Sequence, residues 1–528
     1  MSHGHPSLPT SRLQSSEELQ CSPSHKFPHV EYFSFFCCVY LPLKPTCDRP
    51  RRTSIHILDD NSLLNIFYLY QQLLFDDLKL GEELAIFGWF EWGHEHWWYE
   101  LVHVCRRWRY LVLGSATHLS LCLRCTHGTP VAEMLAHSPP LPIIIYHLVV
   151  DDDITSEDER AILLALQHRD RVRRIRLLVP VSNSQDLIAG IDNEFPMLEY
   201  LCIGNTVDDP TAWMLPKAFQ APHLRYLTLI GVVCSVRSLL LTSAVGLVTL
   251  ILRRIPPSAY FSPDDLISCI SLLPQLEMLS INFLPPLPDH GLGTRSLQTP
   301  IMTCVTLANL RWFCFTGTSA YLEELLPCIA TPLLEKFEIE FFDQSHVSIP
   351  HVQHFISTTE KFKFDCATLK FDDELISVEA YPSDQAGREP PFQASIDYGS
   401  FYPEPQITTM ASLVQVLNAL RSLFSNVETL TFEYTMGPTP SHWQHFIGRA
   451  QWRGLLGPFS SVKTLNLPKK LVLVLSSSLQ VLDGESPTDL FPELREILYP
   501  ADRYDSGAFS SFSHARRNVG HPVTIVHR

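Results

Sequence analysis

The chain is short of charge and of glycine. Charged residues fill 18% of its 528 positions, and 22 glycines stand against 40 prolines. Low charge beside 45% apolar residues excludes a solvated, disordered chain, which lacks the apolar surface that offsets chain entropy. The proline excess fits many short elements separated by rigid turns. Basic residues are also in deficit, 40 against 56 acidic, a net charge of −16. Nucleic acid and anionic membranes are therefore not expected as main partners, because both need a basic face.

Long apolar runs are missing too. The nearest candidate, Tyr32 to Leu43, is shorter than the ~20 apolar residues that a membrane-crossing helix needs. No secretory signal of normal form precedes it. Residues 1–50 read as a poorly ordered leader rich in Ser, Pro and His. The 14 cysteines are scattered rather than patterned, which fits free thiols in a reducing cytoplasmic or nuclear setting.

Catalytic and cofactor signatures are scarce. Gly-x-Gly-x-x-Gly, the phosphate-binding P-loop pattern and Gly-x-Ser-x-Gly do not occur. His94-Glu95-His96 lacks a second zinc ligand at helical spacing, since position 98 is Trp98. Cys122 and Cys125 have knuckle spacing but no second pair at a fitting distance. Asp151 to Glu159 has the acidity of a calcium loop without its glycine or terminal glutamate. Ser156 with Glu159 reads instead as a capping box opening a helix over residues 160–169. No cofactor is expected, and the chain reads as non-catalytic.

What is present is a repeat. An apolar residue, two variable ones, an apolar residue, a variable one and another apolar residue recur as Val172-Ile175-Leu177, Leu198-Leu201-Ile203 and Leu224-Leu227-Leu229. The phrase returns as Leu247-Leu250-Leu252, Leu276-Leu279-Ile281, Leu310-Phe313-Phe315 and Leu334-Phe337-Ile339. Later copies are Cys366-Leu369-Phe371, Val427-Leu430-Phe432 and Val462-Leu465-Leu467. Spacings run from 23 to 35 residues with one gap of 61, around the leucine-rich-repeat range but looser. Helix-like segments lie between copies, as at Pro263 to Leu273, opened by Ser262 with proline at the first helical position. One strand and one helix per repeat predict an α/β fold. Residues 118–528 would be an irregular leucine-rich-repeat solenoid with a parallel sheet on its concave face, interrupted by an insertion over about 372–409. A doubly wound α/β domain shares this alternation, and a hydrolase or transferase of that class would need convergent titratable groups that the sequence does not show.

Two helical segments precede the repeats. Asp59 or Asp60 can cap a helix with Leu63, Leu64, Ile66, Phe67 and Leu69 on one broad face. A second helix reads Trp98, Leu101, Val102, Cys105 and Trp108 at three- and four-residue intervals. Together, over residues 53–115, they resemble the two halves of an F-box. Leu58, Leu63, Leu64, Ile66 and Phe67 match its first apolar run, and Leu101, Val104, Cys105 and Trp108 its Leu…Val-Cys-Arg-x-Trp run. Asp59 stands where the family has a proline, and residues 71–96 lengthen the link between the halves. The resemblance implies the substrate-recognition subunit of an SCF-type ubiquitin ligase. Those nine residues would bind a Skp-type adaptor within a cullin complex while the repeats hold a protein substrate. The alternative is a leucine-rich-repeat interaction scaffold with no ligase link, its first helices serving only as a cap.

Overall fold

The structure is a computed structural model. It describes residues 57–76, 97–114 and 120–527, the last with breaks at 127, 139, 149–153, 180–183, 206–212, 286–303, 343–346, 360, 373–374, 386–388, 398–406, 436–447, 483 and 501–506. The leader over 1–50, most of the link 71–96 with its His94-Glu95-His96 motif, and Asp151 to Asp153 lie outside the described residues. Residues 1–62 and 63–528 form separate compact units.

In the second unit the repeat phrase becomes strand after strand of one sheet. The first strands are β1 (Leu121–Arg124), β2 (Ile143–Leu148), β3 (Val172–Val179), β4 (Tyr200–Asn205) and β5 (Trp213–Met214). Then come β6 (Tyr226–Ile230), β7 (Val232–Val233), β8 (Thr249–Ile255), β9 (Met278–Phe283) and β10 (Val305–Thr306). Next are β11 (Trp312–Gly317), β12 (Ile329–Ala330), β13 (Lys336–Phe342), β14 (Cys366–Phe371) and β15 (Leu375–Tyr381). The last are β16 (Phe392–Asp397), β17 (Thr429–Tyr434), β18 (Thr464–Asn466), β19 (Glu496–Tyr499) and β20 (Thr524–His527). Sixteen of them form a single sheet in the order β1-β2-β3-β4-β6-β8-β9-β11-β13-β16-β15-β14-β17-β18-β19-β20, while β5 with β7 and β10 with β12 make two small ribbons.

Register explains why the phrase repeats. Ile175, Leu201, Leu227, Leu250, Leu279, Phe313 and Phe337 are partners across successive parallel strands. Leu177, Ile203, Leu229, Leu252, Ile281, Phe315 and Ile339 form the next ladder, and all fourteen are buried. Alternation along a strand sends these side chains to one face. There they meet helices, as when Phe355 of the helix Pro350–Thr358 packs on Phe337. Burying each leucine is worth about 1.5–3 kcal/mol, and helices packed on the stacked strands cover that face.

Three expectations are corrected. The 61-residue gap is not an excursion from the repeats: β15 and β16 lie inside the sheet, between β13 and β14. β15 pairs antiparallel on both sides, and β16 rejoins β13 in parallel. Cys366 is not the first position of its copy. Partnering of Ala367 with Leu430 and of Leu369 with Phe432 makes the copy Phe364-Ala367-Leu369, all buried, with Cys366 half-buried. The acidic capping box is shifted by one residue. The Thr155 hydroxyl accepts from Asp158 N at 3.2 Å and the Asp158 carboxylate accepts from Thr155 N at 3.1 Å, opening the helix Ser156–Leu166. The Ser262 start is as expected, with Asp265 completing its box over Pro263–Ile270.

Candidate docking surfaces

Three helices precede the sheet: α1 (Asp60–Asp76), α2 (Trp97–Val104) and α3 (Arg106–Gly114). The Asp59 carboxylate starts α1 by accepting from Ser62 N at 2.8 Å and Ser62 Oγ at 2.9 Å, bonds that hold its pKa below the usual carboxylate value. The single second helix expected from the sequence is two helices, broken at Cys105. Its Sγ accepts from Trp108 N at 3.4 Å at the start of α3. Arg109 Nε donates to Val102 O at 2.9 Å, satisfying a carbonyl that the end of α2 leaves open. Arg109 is thereby tied to the backbone rather than simply solvated.

The nine residues of the F-box resemblance divide by exposure. Leu63 and Phe67 are buried, four apart on one strip of α1. Phe67 meets the half-buried Trp108 edge to face at 4.8 Å. Leu58, Leu64, Leu101 and Cys105 are half-buried. Ile66 and Val104 are exposed at 45% and 57%. Leu69, three residues from Ile66, is 57% exposed, and on α3 Tyr110 and Leu113 are 80% and 41% exposed. Sequence matching gave no role to Leu69, Tyr110 or Leu113. Their i, i+3 spacing outside the packed strip was the available signal.

The second surface is the sheet face turned away from the helices. From β1 to β11 its charged side chains are all basic among the described residues: Arg124, Arg174, Arg176 and Arg253, read from strand alternation and register. Acids enter that face at β13, where Lys336 pairs with Glu338 at 2.7 Å and lies 3.9 Å from the Trp312 ring. Farther on, Lys370 pairs with Glu379 at 2.8 Å. On the basic half, Tyr200 and Tyr226 stand with rings 6.2 Å apart, and Leu178, Cys202 and Ile230 form a buried cluster against Tyr200. Burial holds Arg174 and Arg254 below the usual guanidinium pKa. The cost of removing cations from water makes this half receptive to anions.

Catalytic geometry is weaker. His147 is fully buried, and its Nδ1 lies 2.6 Å from Cys125 O, while its Nε2 has no partner among the described residues. Burial lowers its pKa below 6.5 and raises the Cys125 thiol to about 12, so neither group is poised to transfer a proton or attack. Because folding depresses the histidine pKa, the unfolded chain takes up the proton first, and stability falls as pH drops below about 6.5. A His147→Gln variant is therefore expected to show a smaller loss of melting temperature between pH 7.5 and 5.5 than the parent; an equal loss would exclude His147 as the source. No group of three metal-binding side chains occurs among the described residues, Cys122 and Cys125 included. No described helix is long and apolar enough to cross a membrane. A shallow, open depression of 360 Å3 is lined by Arg169, Asp170, Asn193, Glu194 and Pro196.

No family model and no curated protein matches the sequence. Among solved structures, a leucine-rich-repeat-containing protein from Legionella pneumophila is similar at 9% identity, with a TM-score of 0.24, over 74% of this chain and 87% of the other.

Proposed function

We propose that the chain is a non-catalytic interaction subunit whose N-terminal helices dock a Skp-type adaptor of a cullin ubiquitin ligase while its repeats hold a protein substrate. The observation that carries this reading is the exposed apolar set Ile66, Leu69, Val104, Tyr110 and Leu113 on three short helices. Exposed apolar side chains gathered on helices mark a binding site more often than a free surface, and a helix face seated in a partner's groove is a familiar use of them. The mechanism is proximity: a held substrate meets a ubiquitin-charged enzyme at raised effective concentration, with no nucleophile required from this chain.

The burial of Leu63 and Phe67 within the chain favours the second reading, a repeat scaffold capped by these helices. Substitutions at exposed positions separate the two, because they remove little internal packing. Purified full-length protein is expected to form a complex with recombinant Skp-type adaptor in size-exclusion chromatography. The Ile66→Asp, Leu69→Asp pair should weaken it at least tenfold while the melting temperature stays near the parent's. Absence of a complex with the parent protein would leave the capped scaffold as the function.

A further inference from the structure

The basic half of the outward sheet face is assembled from residues far apart in sequence. Arg174 and Arg176 sit two apart on β3, and Arg253 sits on β8, three strands away in the order β3-β4-β6-β8. At ~4.8 Å per strand and ~3.3 Å per residue, the diagonal from Arg176 to Arg253 spans ~16 Å. The ground between them is apolar and tight. A β-carbon at Gly204 would lie 2.6 Å from Leu178 Cδ2 and 2.9 Å from Ile230 Cβ, so glycine is what lets those two side chains close over β4 beside Cys202.

The far side is shaped by a break in register between Leu252 and Ile255. There Arg254 takes a left-handed backbone, φ 55, which a side-chain-bearing residue adopts at a cost. Asn282 Oδ1 accepts from Arg254 N at 3.0 Å, and Arg254 Nη1 reaches back to donate to Asn205 O at 3.2 Å. The irregularity thus brings a further guanidinium to the rim of the Gly204 cluster, the kind of re-aiming that bulges perform beside binding sites. On the near side, Arg176 Nε is buried without a hydrogen-bond partner among the described residues, and its guanidinium carbon lies 6.0 Å from the centre of the Tyr146 ring.

We propose that this face holds an extended acidic segment of a partner protein. One carboxylate sits at Arg176 and a second, about five residues along the segment at ~3.3 Å each, sits at Arg253 and Arg254, with an apolar side chain between them over Leu178, Cys202 and Ile230. The wide separation of the cations selects two spaced carboxylates over one compact dianion such as a phosphate. The acids beyond β13 repel a long polyanion, which disfavours nucleic acid. The inference rests on the reading of the repeats as a partner-holding surface and names the chemistry of what they hold.

The test is selection of a phage-displayed library of random 12-residue peptides against the full-length chain and against an Arg176→Glu, Arg253→Glu variant. A thermal melt shows that the variant folds; an Arg176→Gln, Arg253→Gln pair serves if it does not. Peptides with two acids four to six residues apart around an apolar residue are expected from the parent chain. Their binding in fluorescence anisotropy should weaken about tenfold or more in the variant. Enrichment without paired acids, equal binding by the variant, or tighter binding of a single phosphoserine peptide or an oligonucleotide would overturn the proposal. None of these readouts involves the adaptor, so a failure here is distinct from a failure of the helices to dock.

Discussion

Replacing Arg516 with alanine is expected to cost about 3–5 kcal/mol, because one substitution strips the donors from several buried carbonyls at about 1–3 kcal/mol each. Arg516 lies in the helix Ser510–Asn518 and is fully buried. Its guanidinium donates only to carbonyls: Nε to His521 at 3.2 Å, Nη1 to Pro487 at 3.3 Å and Phe491 at 3.1 Å, Nη2 to Pro492 at 3.1 Å and Leu494 at 3.2 Å. These bonds pin the turn before β19, where Phe491 holds a left-handed backbone at φ 51, to the helix before β20. Alanine would remove the guanidinium donors from five carbonyls, of which Phe491 O keeps the amide of Leu494 and the others must find water. Lysine should recover less than half of the loss, because one ammonium offers three donors without the planar fork. Repeat arrays unfold in local steps, so hydrogen exchange is the discriminating measurement. Amides of β19 and β20 should lose protection in Arg516→Ala while those of β4 to β9 keep theirs. Uniform loss, or none, would contradict the assignment of Arg516 as a local staple.

Trp452→Ala is expected to be comparably damaging, and Trp452→Phe far milder. Trp452 in the helix Arg449–Leu456 is fully buried, with its ring centre 5.7 Å from that of Phe371 and 6.4 Å from that of Phe432. Truncation to alanine leaves a large cavity and should cost about 3–5 kcal/mol. Its Nε1 is buried without a hydrogen-bond partner among the described residues, a donor whose desolvation opposes folding. Phenylalanine keeps most of the contact and removes that donor, so its cost should be under about 1.5 kcal/mol. Denaturant melts of the two variants decide it. Equal losses would mean that the indole nitrogen is satisfied in solution.

Much of the sheet was legible because strand side chains alternate with a period of two, and Leu198-Leu201-Ile203 repeats that signature wherever a strand lies between flanking strands. Where the signature fails, reading fails too. Cys366 mimicked a first position, and only the pairing of Ala367 with Leu430 fixed the phase two residues earlier. β2 departs from the phrase because its positions in register with Ile175 and Leu177 are Ile145 and His147, a histidine standing where the phrase has an apolar residue. On the candidate docking helices, residue type was legible but exposure was not. Leu63 and Ile66 are both apolar members of α1, yet one is fully buried and the other 45% exposed, because the position of Trp108 selects which strip of the helix is covered.

The sequence by itself determined that the copies between Val172 and Leu467 would form strands with one apolar face, since hydrophobic periodicity is a local property. It also determined several helix starts, because Ser262 with Asp265 is a local hydrogen-bonding arrangement. The tertiary structure alone decided that β15 and β16 enter the sheet between β13 and β14, and that Arg174, Arg176 and Arg253 share one face. Strand order depends on which unpaired edge the returning chain meets, and a shared face depends on register between segments some 80 residues apart, from Arg174 to Arg253. Neither is encoded in any short stretch of residues.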